Sequence, residues 1–564
     1  MTRKISAIFL AFIYSVIYVV VGPIIKAQNF KLGISHLFAF LVCFLLCFLI
    51  NIFVFSIIPR CSLSMRNEKI SQYLDKIGEN KLFVGVWIFI FVSWIPAYLT
   101  VYPGILSYDM IAQVGAALGE INLNHHPVLH TWLIRFFMKT GDMLFSGYEY
   151  GIGLLSLLQM LVLSYALTRL VVLLKKKSVP ILIVILTAFF SAIWFMNACL
   201  SVTMIKDTLH AAFLVLFVCH FVEIVMNPSE YTSQKRNLLL FPLVSFLMCA
   251  FRNNGIHIYV FCFAFLFVLR ISQIKKVKAK KAFWALIVAI LLPVLMYKIY
   301  TGPVFAALEI RQGEIREALS VPIQQLQRVA IHEADELSSE QTELMNYYID
   351  NLEWREWAPG REYNPFIADP AKSCFYSNSY NNDPIAFWKF YLQTGKQFPR
   401  EYLVAFLSNT LGYWYPGYYG FSYVAFENYP PETFVEPLER KSIGNLHVFE
   451  KYYESVCTSE FWRSTPVLRL FFVPAYTFWF LIYALVLSWR KRGFFTRVLP
   501  LLLPLIAQYG IMILSPMSSF RYSWPFYLIL PLSFIAIFDN EESLKWEEKS
   551  TEKCLKDEND TCNS

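Results

Sequence analysis

Four short stretches of this chain hold residue types that do chemistry at an interface. In SYDMIAQVGAALGEINLNHHP, residues 107–127, Asp109 and Gln113 lie one helical turn apart and precede the pair His125-His126. Lys206-Asp207 stands in MIKD, Arg252-Asn253-Asn254 in FRNNG, and Arg521-Tyr522 in SSFRYS. A carboxylate can take a hydroxyl proton, while lysine and arginine stabilise charge developing on a departing phosphate; the set therefore suits transfer of a group from a phosphate to a hydroxyl. Arginine's planar fork binds phosphate through paired hydrogen bonds. In such a reaction Asp109 is the catalytic base and Lys206, Arg252 and Arg521 hold the phosphate. Gln113, His125, His126, Asp207, Asn253, Asn254 and Tyr522 complete the substrate-binding set.

Each has a plainer reading. Asp109 suits a helix N-terminus, Lys206-Asp207 a local ion pair at a helix start, and Arg521 a side chain snorkelling to a membrane interface. The histidines suit a loop-terminating polar pair, or neutral imidazoles that bind hydroxyls or a metal. Arg252 is the hardest to explain away, because a short hairpin holds it near the bilayer, where an unpaired arginine is costly.

The elements that must bring these residues together are set by composition. With 57% hydrophobic and 16% charged residues in 564, a soluble globular class is excluded and repeated membrane-spanning runs are expected. Runs lie at 5–25, 34–58, 82–101, 150–174, 179–200, 208–226, 238–251, 256–272, 282–300, 467–489, 498–514 and 525–538, giving about twelve crossings. The first lacks a small-residue cleavage site and reads as a retained signal anchor.

Lysine and arginine collect in every second connection, at Arg60–Lys81, Lys175–Lys177, Lys235-Arg236, Lys275–Lys281 and Arg490–Arg497. By the positive-inside rule both termini are cytoplasmic and the 107–127 stretch faces outward. The net charge of +8 thus reflects topology and gives no reason to expect nucleic acid.

Four parts follow: an N-terminal membrane region 1–300 with a first outer loop 102–149, an extracytoplasmic domain 301–465, a C-terminal membrane region 466–540 and a charged cytoplasmic tail 541–564. In the loop, Pro103-Gly104 ends a crossing. A helix over 108–121 would expose Asp109, Gln113 and Glu120 within about 40° of one another, opposite Met110, Val114, Ala117 and Ile121. Leu129, Trp132, Leu133, Phe136 and Phe137 recur at helical spacing opposite Arg135 and Lys139, as in an amphipathic helix lying on the membrane surface. Parity requires 238–272 to cross twice, as a hairpin turning at Arg252–Gly255. His220 and Glu223 are expected to snorkel at the cytoplasmic end of their helix.

In the domain 301–465, Glu309 to Arg328 reads as helix, with Ser320–Gln325 and Arg328 as further candidates for substrate contact. The aromatic stretch Gly412–Gly420 reads as packing ahead of sugar stacking. Cys374 and Cys457 allow a disulfide outside the cytoplasm. No CxxC or His/Cys spacing marks structural zinc.

Asp109 in an outer loop after an early crossing, followed by His125-His126-Pro127, resembles the first extracytoplasmic loop of the GT-C class of membrane glycosyltransferases. The resemblance implies an all-α polytopic membrane fold of GT-C type, with an outer amphipathic-helix loop and one extracytoplasmic mixed or mainly α domain. It also implies a polyprenyl-phosphate sugar as donor, an acceptor in the cell envelope and membrane lipid as surroundings. Asp109 becomes the catalytic base, and a single displacement would invert the anomeric centre. No Asp-x-Asp stands in the loop, so a divalent metal stays open and no other cofactor is called for. A lipid-linked glycan transporter or flippase is the rival from another class, although broken midmembrane polar helices and repeated halves are not evident here; a polysaccharide polymerase is the nearest enzymatic alternative.

Overall fold

The computed structural model describes residues 3–29, 31–64, 74, 76–105, 108–274, 281–349, 363–418, 449, 451–453, 465–489 and 491–538. Where apolar chain leaves water, backbone groups must be paired within the segment, and helix is the local solution. Among the described residues, eight helices are long and apolar enough to cross a bilayer: Lys4–Ala27, Ile34–Ile57, Glu79–Thr100, Tyr148–Lys176, Lys206–Met226, Phe283–Ala307, Phe494–Ile513 and Phe520–Phe538. Ile181–Ile193 and Phe195–Ser201 bend by 50° at their junction and make a ninth if they are one span. The remaining runs form shorter helices, Lys235–Phe251, the apolar part Gly255–Leu269 and Ala475–Ser488. The protein is a multi-pass, all-α membrane protein; its only sheet among the described residues is a two-stranded parallel pair, β1 (Leu123–Asn124) with β2 (Arg311–Gln312).

Seven helices position the polar residues: α1 (Tyr108–Leu118), α2 (Val128–Phe145), α3 (Tyr148–Lys176), α4 (Lys206–Met226), α5 (Lys235–Phe251), α6 (Gly255–Ile274) and α7 (Phe520–Ile529). Helix α4 is the hub. It is buried on every face and packs against α3, α5, α7 and the helix Leu499–Ile513, as expected of a helix apolar all round. Its polar end groups are therefore pinned from several sides.

The loop between residues 102 and 149 departs from expectation. The stripe Met110, Val114 and Ala117 is buried as predicted, but α1 stops at Leu118, Glu120 lies beyond it, and Gln113 is fully buried instead of exposed. Helix α2 turns inward with His130, Thr131, Ile134, Met138 and Gly141, while Phe136 is 62% exposed. It packs along α3, with Leu129, Trp132, Leu133 and Phe137 partly buried. Hydrogen bonding decides the orientation: Gln113 Nε2 donates to Thr131 Oγ1 at 3.0 Å, and Gln113 Oε1 meets His130 Nδ1 at 3.2 Å. Arg135, expected on the solvent side, caps α1 by donating to Ala117 O at 2.8 Å and Ala116 O at 3.2 Å, where a cation also complements the helix macrodipole.

The 238–272 run does form a hairpin, α5 and α6 about the turn Arg252–Asn254. At Gly255 a Cβ would sit 2.6 Å from Met248 O, so only glycine permits this tight return. His220 and Glu223 do not snorkel: both are largely buried, His220 Nδ1 with Tyr231 Oη at 2.9 Å and Glu223 with Arg169 at 3.2 Å.

The 301–465 segment has a core of its own, built on Leu319, Ile323, Leu326 and Val329 with Met345, Tyr348, Phe387 and Phe390. The helix expected from Glu309 begins only at Ser320 and runs to His332, because β2 and a short 3-10 turn, Ile315–Glu317, take up the residues before it. Ser320, Gln324, Gln325 and Arg328 are buried. Gln324, Gln325 and Gln327 bond main-chain carbonyls at 2.6, 3.0 and 3.2 Å, so these residues hold the segment together. Arg328 Nε binds Glu401 Oε2 at 2.7 Å, and its Nη1 donates to Gln28 Oε1 at 2.8 Å. Trp414 and Tyr415 pack with Ile25, Val404 and Leu411, in keeping with the packing reading of the aromatic stretch; Gly420 and Cys457 lie outside the described residues.

Candidate functional site

Three helix starts and one hairpin turn meet at the same end of the bundle. Asp109 lies in the first turn of α1, Lys206 and Asp207 in that of α4, Arg521 and Tyr522 in that of α7, and Arg252 at the end of α5. Each is held by local bonding. Gln113 and Arg135 fix α1, as above. His210 Nδ1 lies 2.9 Å from Met248 O and so ties α4 to α5 beside Arg252. Trp524 Nε1 donates to Asn197 Oδ1 at 2.9 Å, and Tyr413 Oη donates to Met517 O at 3.0 Å while accepting from Ser519 N at 3.1 Å. The 301–465 segment thereby sets the turn that aims Arg521.

Five charges alternate along one line of contacts. Lys206 Nζ lies 3.3 Å from Asp109 Oδ2; Arg521 Nη1 lies 3.1 Å from the same oxygen and its Nε 3.7 Å from Asp207 Oδ2; Arg252 Nη1 pairs with Asp207 Oδ1. Tyr522 sits between the guanidinium groups, 5.3 Å from Arg252 Cζ and 5.0 Å from Arg521 Cζ, and its Oη accepts from Arg521 Nη2 at 3.2 Å, a cation–π arrangement. Asp207 is fully buried, whereas Asp109 and Arg521 each keep 23% of their side chains exposed. The row therefore has a sealed end and an open end. Three cations against two carboxylates leave one positive charge in excess.

The open end continues to the histidines. Lys206 Nζ lies 3.2 Å from His126 Nδ1; an ammonium has no acceptor lone pair, so Nδ1 accepts and the proton is on Nε2. Burial, then the Lys206 charge, pushes the His126 imidazole down to about 3, so it is neutral at pH 7. His125 is exposed and edge-on to His126, ring centroids 4.7 Å apart. Burial alone would raise the Asp109 carboxyl, but the Lys206 and Arg521 charges outweigh it and hold the group well below the usual carboxylate range.

The structure therefore gathers Asp109, His126, Lys206, Asp207, Arg252, Arg521 and Tyr522. Asn253 is next to them, its Nδ2 3.5 Å from Asn124 O, and Asn254 is exposed on the same turn. Gln113 stands behind, with its amide committed to His130 and Thr131. Sequence reasoning missed His130, Thr131, Asn197 and Tyr413. The signal for the first two was present: polar residues in register with Ile134 and Met138 on one helix face. His130 is fully buried, and burial followed by Lys206 pushes it down to about 4.

Among the described residues no three histidine, cysteine or acidic side chains gather to hold a metal. Asp109 and Asp207 are each engaged by cations, so this donor set does not fit a divalent ion.

A family described as "Family of unknown function (DUF6020)" matches residues 121–552, which takes in every site residue from His125 to Tyr522 and begins after Asp109 and Gln113. No curated protein and no solved structure matches the chain.

Proposed function

The chain belongs to the DUF6020 family, and we propose that it is a membrane glycosyltransferase of GT-C type. It moves a sugar from a polyprenyl-phosphate donor to a glycan, lipid or protein acceptor at the extracytoplasmic face of the cell membrane. One observation carries this reading. Asp109, Lys206, Asp207, Arg252 and Arg521, drawn from four separate stretches of chain, converge at one end of the bundle, the end that the positive-inside rule assigns to the outside. The topology that goes with it has twelve crossings, with the short helices α5, α6 and Ala475–Ser488 as complete spans, both termini cytoplasmic and 301–465 outside.

In the reaction, the acceptor oxygen attacks the anomeric carbon as the bond from that carbon to the phosphate oxygen breaks. The hydroxyl proton passes to Asp109, and the polyprenyl phosphate leaves with its charge against Arg521, Lys206 and Arg252. The sugar inverts. Arginine placed at the headgroup level meets a phosphate that its lipid anchor delivers at the same depth.

The test compares envelope glycans by mass spectrometry in a deletion strain carrying wild type or Asp109→Asn at equal protein level. Loss of one glycan modification with the asparagine form is expected; full restoration would overturn the catalytic role. A second reading, transport of a lipid-linked glycan, is favoured by the partly buried Arg169–Glu223 pair at the opposite end of α4, which gives one helix a charged cluster at each end. Movement of donor across proteoliposomes without sugar transfer would select it.

A further inference from the structure

The open end of the charge row has one oxygen too well served. Asp109 Oδ2 alone receives both Lys206 Nζ, at 3.3 Å, and Arg521 Nη1, at 3.1 Å. Two cations converging on one oxygen is the arrangement a phosphate oxygen takes between a lysine and an arginine. The positions reinforce this. Lys206 and Arg521 stand in the first turns of α4 and α7, 21 and 10 residues long, where the macrodipole disfavours a cation and favours an anion. A third helix start, that of α1, supplies the carboxylate itself.

Arg521 is also built to let go of one partner. Its Nε faces Asp207 at 3.7 Å while Nη1 faces Asp109. Asp207 is sealed and carries Arg252 as well, so it keeps the guanidinium in place when Nη1 changes ligand. Asp109 is partly exposed and lies in the first turn of an eleven-residue loop helix, and among the described residues Lys206 and Arg521 are the cations that pair with it.

We infer that the Asp109 carboxylate occupies the seat of a phosphate group, and that an arriving phosphate displaces it from Lys206 Nζ and Arg521 Nη1. The inference rests on the phosphate-donor reading above and assigns the seat within it. It has a chemical consequence. A carboxylate held by two cations is a poor base, and one that has lost them regains its basicity. The base is therefore idle until the donor phosphate is in place, and donor binding precedes proton abstraction.

The test measures binding to the full-length protein in detergent micelles by titration calorimetry, with decyl phosphate for the lipid source and inorganic phosphate for the free one. Asp109→Asn removes the resident anion, so it should bind decyl phosphate at least about tenfold tighter than wild type, a deliberately small part of the attraction of one unit charge at this distance because the site is partly open to solvent. The same ratio with inorganic phosphate at lower affinity fits a lipid-delivered ligand; inorganic phosphate binding as tightly as decyl phosphate would overturn the lipid source. Equal or weaker binding by Asp109→Asn would overturn the seat. So would an equal gain in Asp109→Glu, which keeps the charge, or a gain that survives Lys206→Met. Should the asparagine form not fold, infrared difference spectra of the wild type on adding decyl phosphate must show a shifted carboxylate stretch, and an unchanged band would overturn the exchange. Glycans lost in Asp109→Asn without tighter binding would leave glycosyl transfer standing and remove the seat; tighter binding with intact glycans would do the reverse.

Discussion

Arg521 Nη1 lies 3.1 Å from Asp109 Oδ2 across 412 positions of sequence. The contact exists only if the loop helix α1 and the late helix α7 both dock at the start of α4, so it reports the closure of the whole bundle. Because the same guanidinium also approaches Asp207 at 3.7 Å, the open carboxylate and the sealed one are electrostatically linked. A change at either is felt at the other, and the two are expected to couple in double-variant measurements.

Arg521→Lys keeps the charge and loses the fork. A single ammonium cannot span Asp109 and Asp207 while also reaching Tyr522 Oη, so donor turnover should fall by roughly 100-fold. Kinetics with a purified polyprenyl-phosphate sugar check this, and activity within a few-fold of wild type would show that charge alone suffices.

Asp207→Asn leaves Arg252 beside a neutral amide in a sealed site. Removing one partner of a buried pair costs about 3–5 kcal/mol, so thermal unfolding in detergent should shift strongly downward. Adding Arg252→Met to the same chain removes the stranded charge and should recover part of the loss. No recovery would mean that Asp207 acts mainly through Arg521.

The stability of the loop should depend on pH through its histidines. His126 is held down at about 3 and His130 at about 4, against an ordinary 6.5. A depressed imidazole takes its proton first in the unfolded chain, so both contributions are complete above 6.5 and are lost as pH falls from there, toward about 4 for His130 and about 3 for His126. Near pH 5 each costs about 1 kcal/mol per pH unit. Thermal midpoints measured between pH 7 and 5 should fall, and His130→Asn should flatten the curve. A flat wild-type profile would show that neither ring is buried in its neutral form.

The residues of the site were legible before the fold because ionisable groups at membrane boundaries are expensive and therefore few. Lys206, Arg252 and Arg521 stand out against apolar runs on either side. The helices were legible for the same reason, through composition and the lysine pattern. What could not be read was direction. A helical wheel for 128–145 sets the aromatics opposite Arg135 and Lys139 and does not show which side packs on the protein. His130 and Thr131 turn in to Gln113 while Phe136 is 62% exposed. The fate of Gln113 depended on that choice of side. Nor did local pattern show that β2 would replace the first turns of the helix expected from Glu309, since its partner β1 is 188 residues earlier.

The last prediction concerns the tie between the 301–465 segment and the N-terminal helix. Arg328 and Glu401 are 3% and 6% exposed, and Arg328 Nη1 reaches Gln28 near the end of Lys4–Ala27. Glu401→Gln strands a buried guanidinium and should cost about 3–5 kcal/mol, whereas Gln28→Ala removes one charge-assisted hydrogen bond, worth about 1.5–3 kcal/mol. Because Tyr413 of the same segment sets the turn before Arg521, loosening this tie should reach the site. Glu401→Gln is expected to open the segment to limited proteolysis and to weaken decyl phosphate binding together. Faster cleavage with unchanged binding would show that the turn at Met517–Ser519 holds Arg521 without help from the Arg328 clamp.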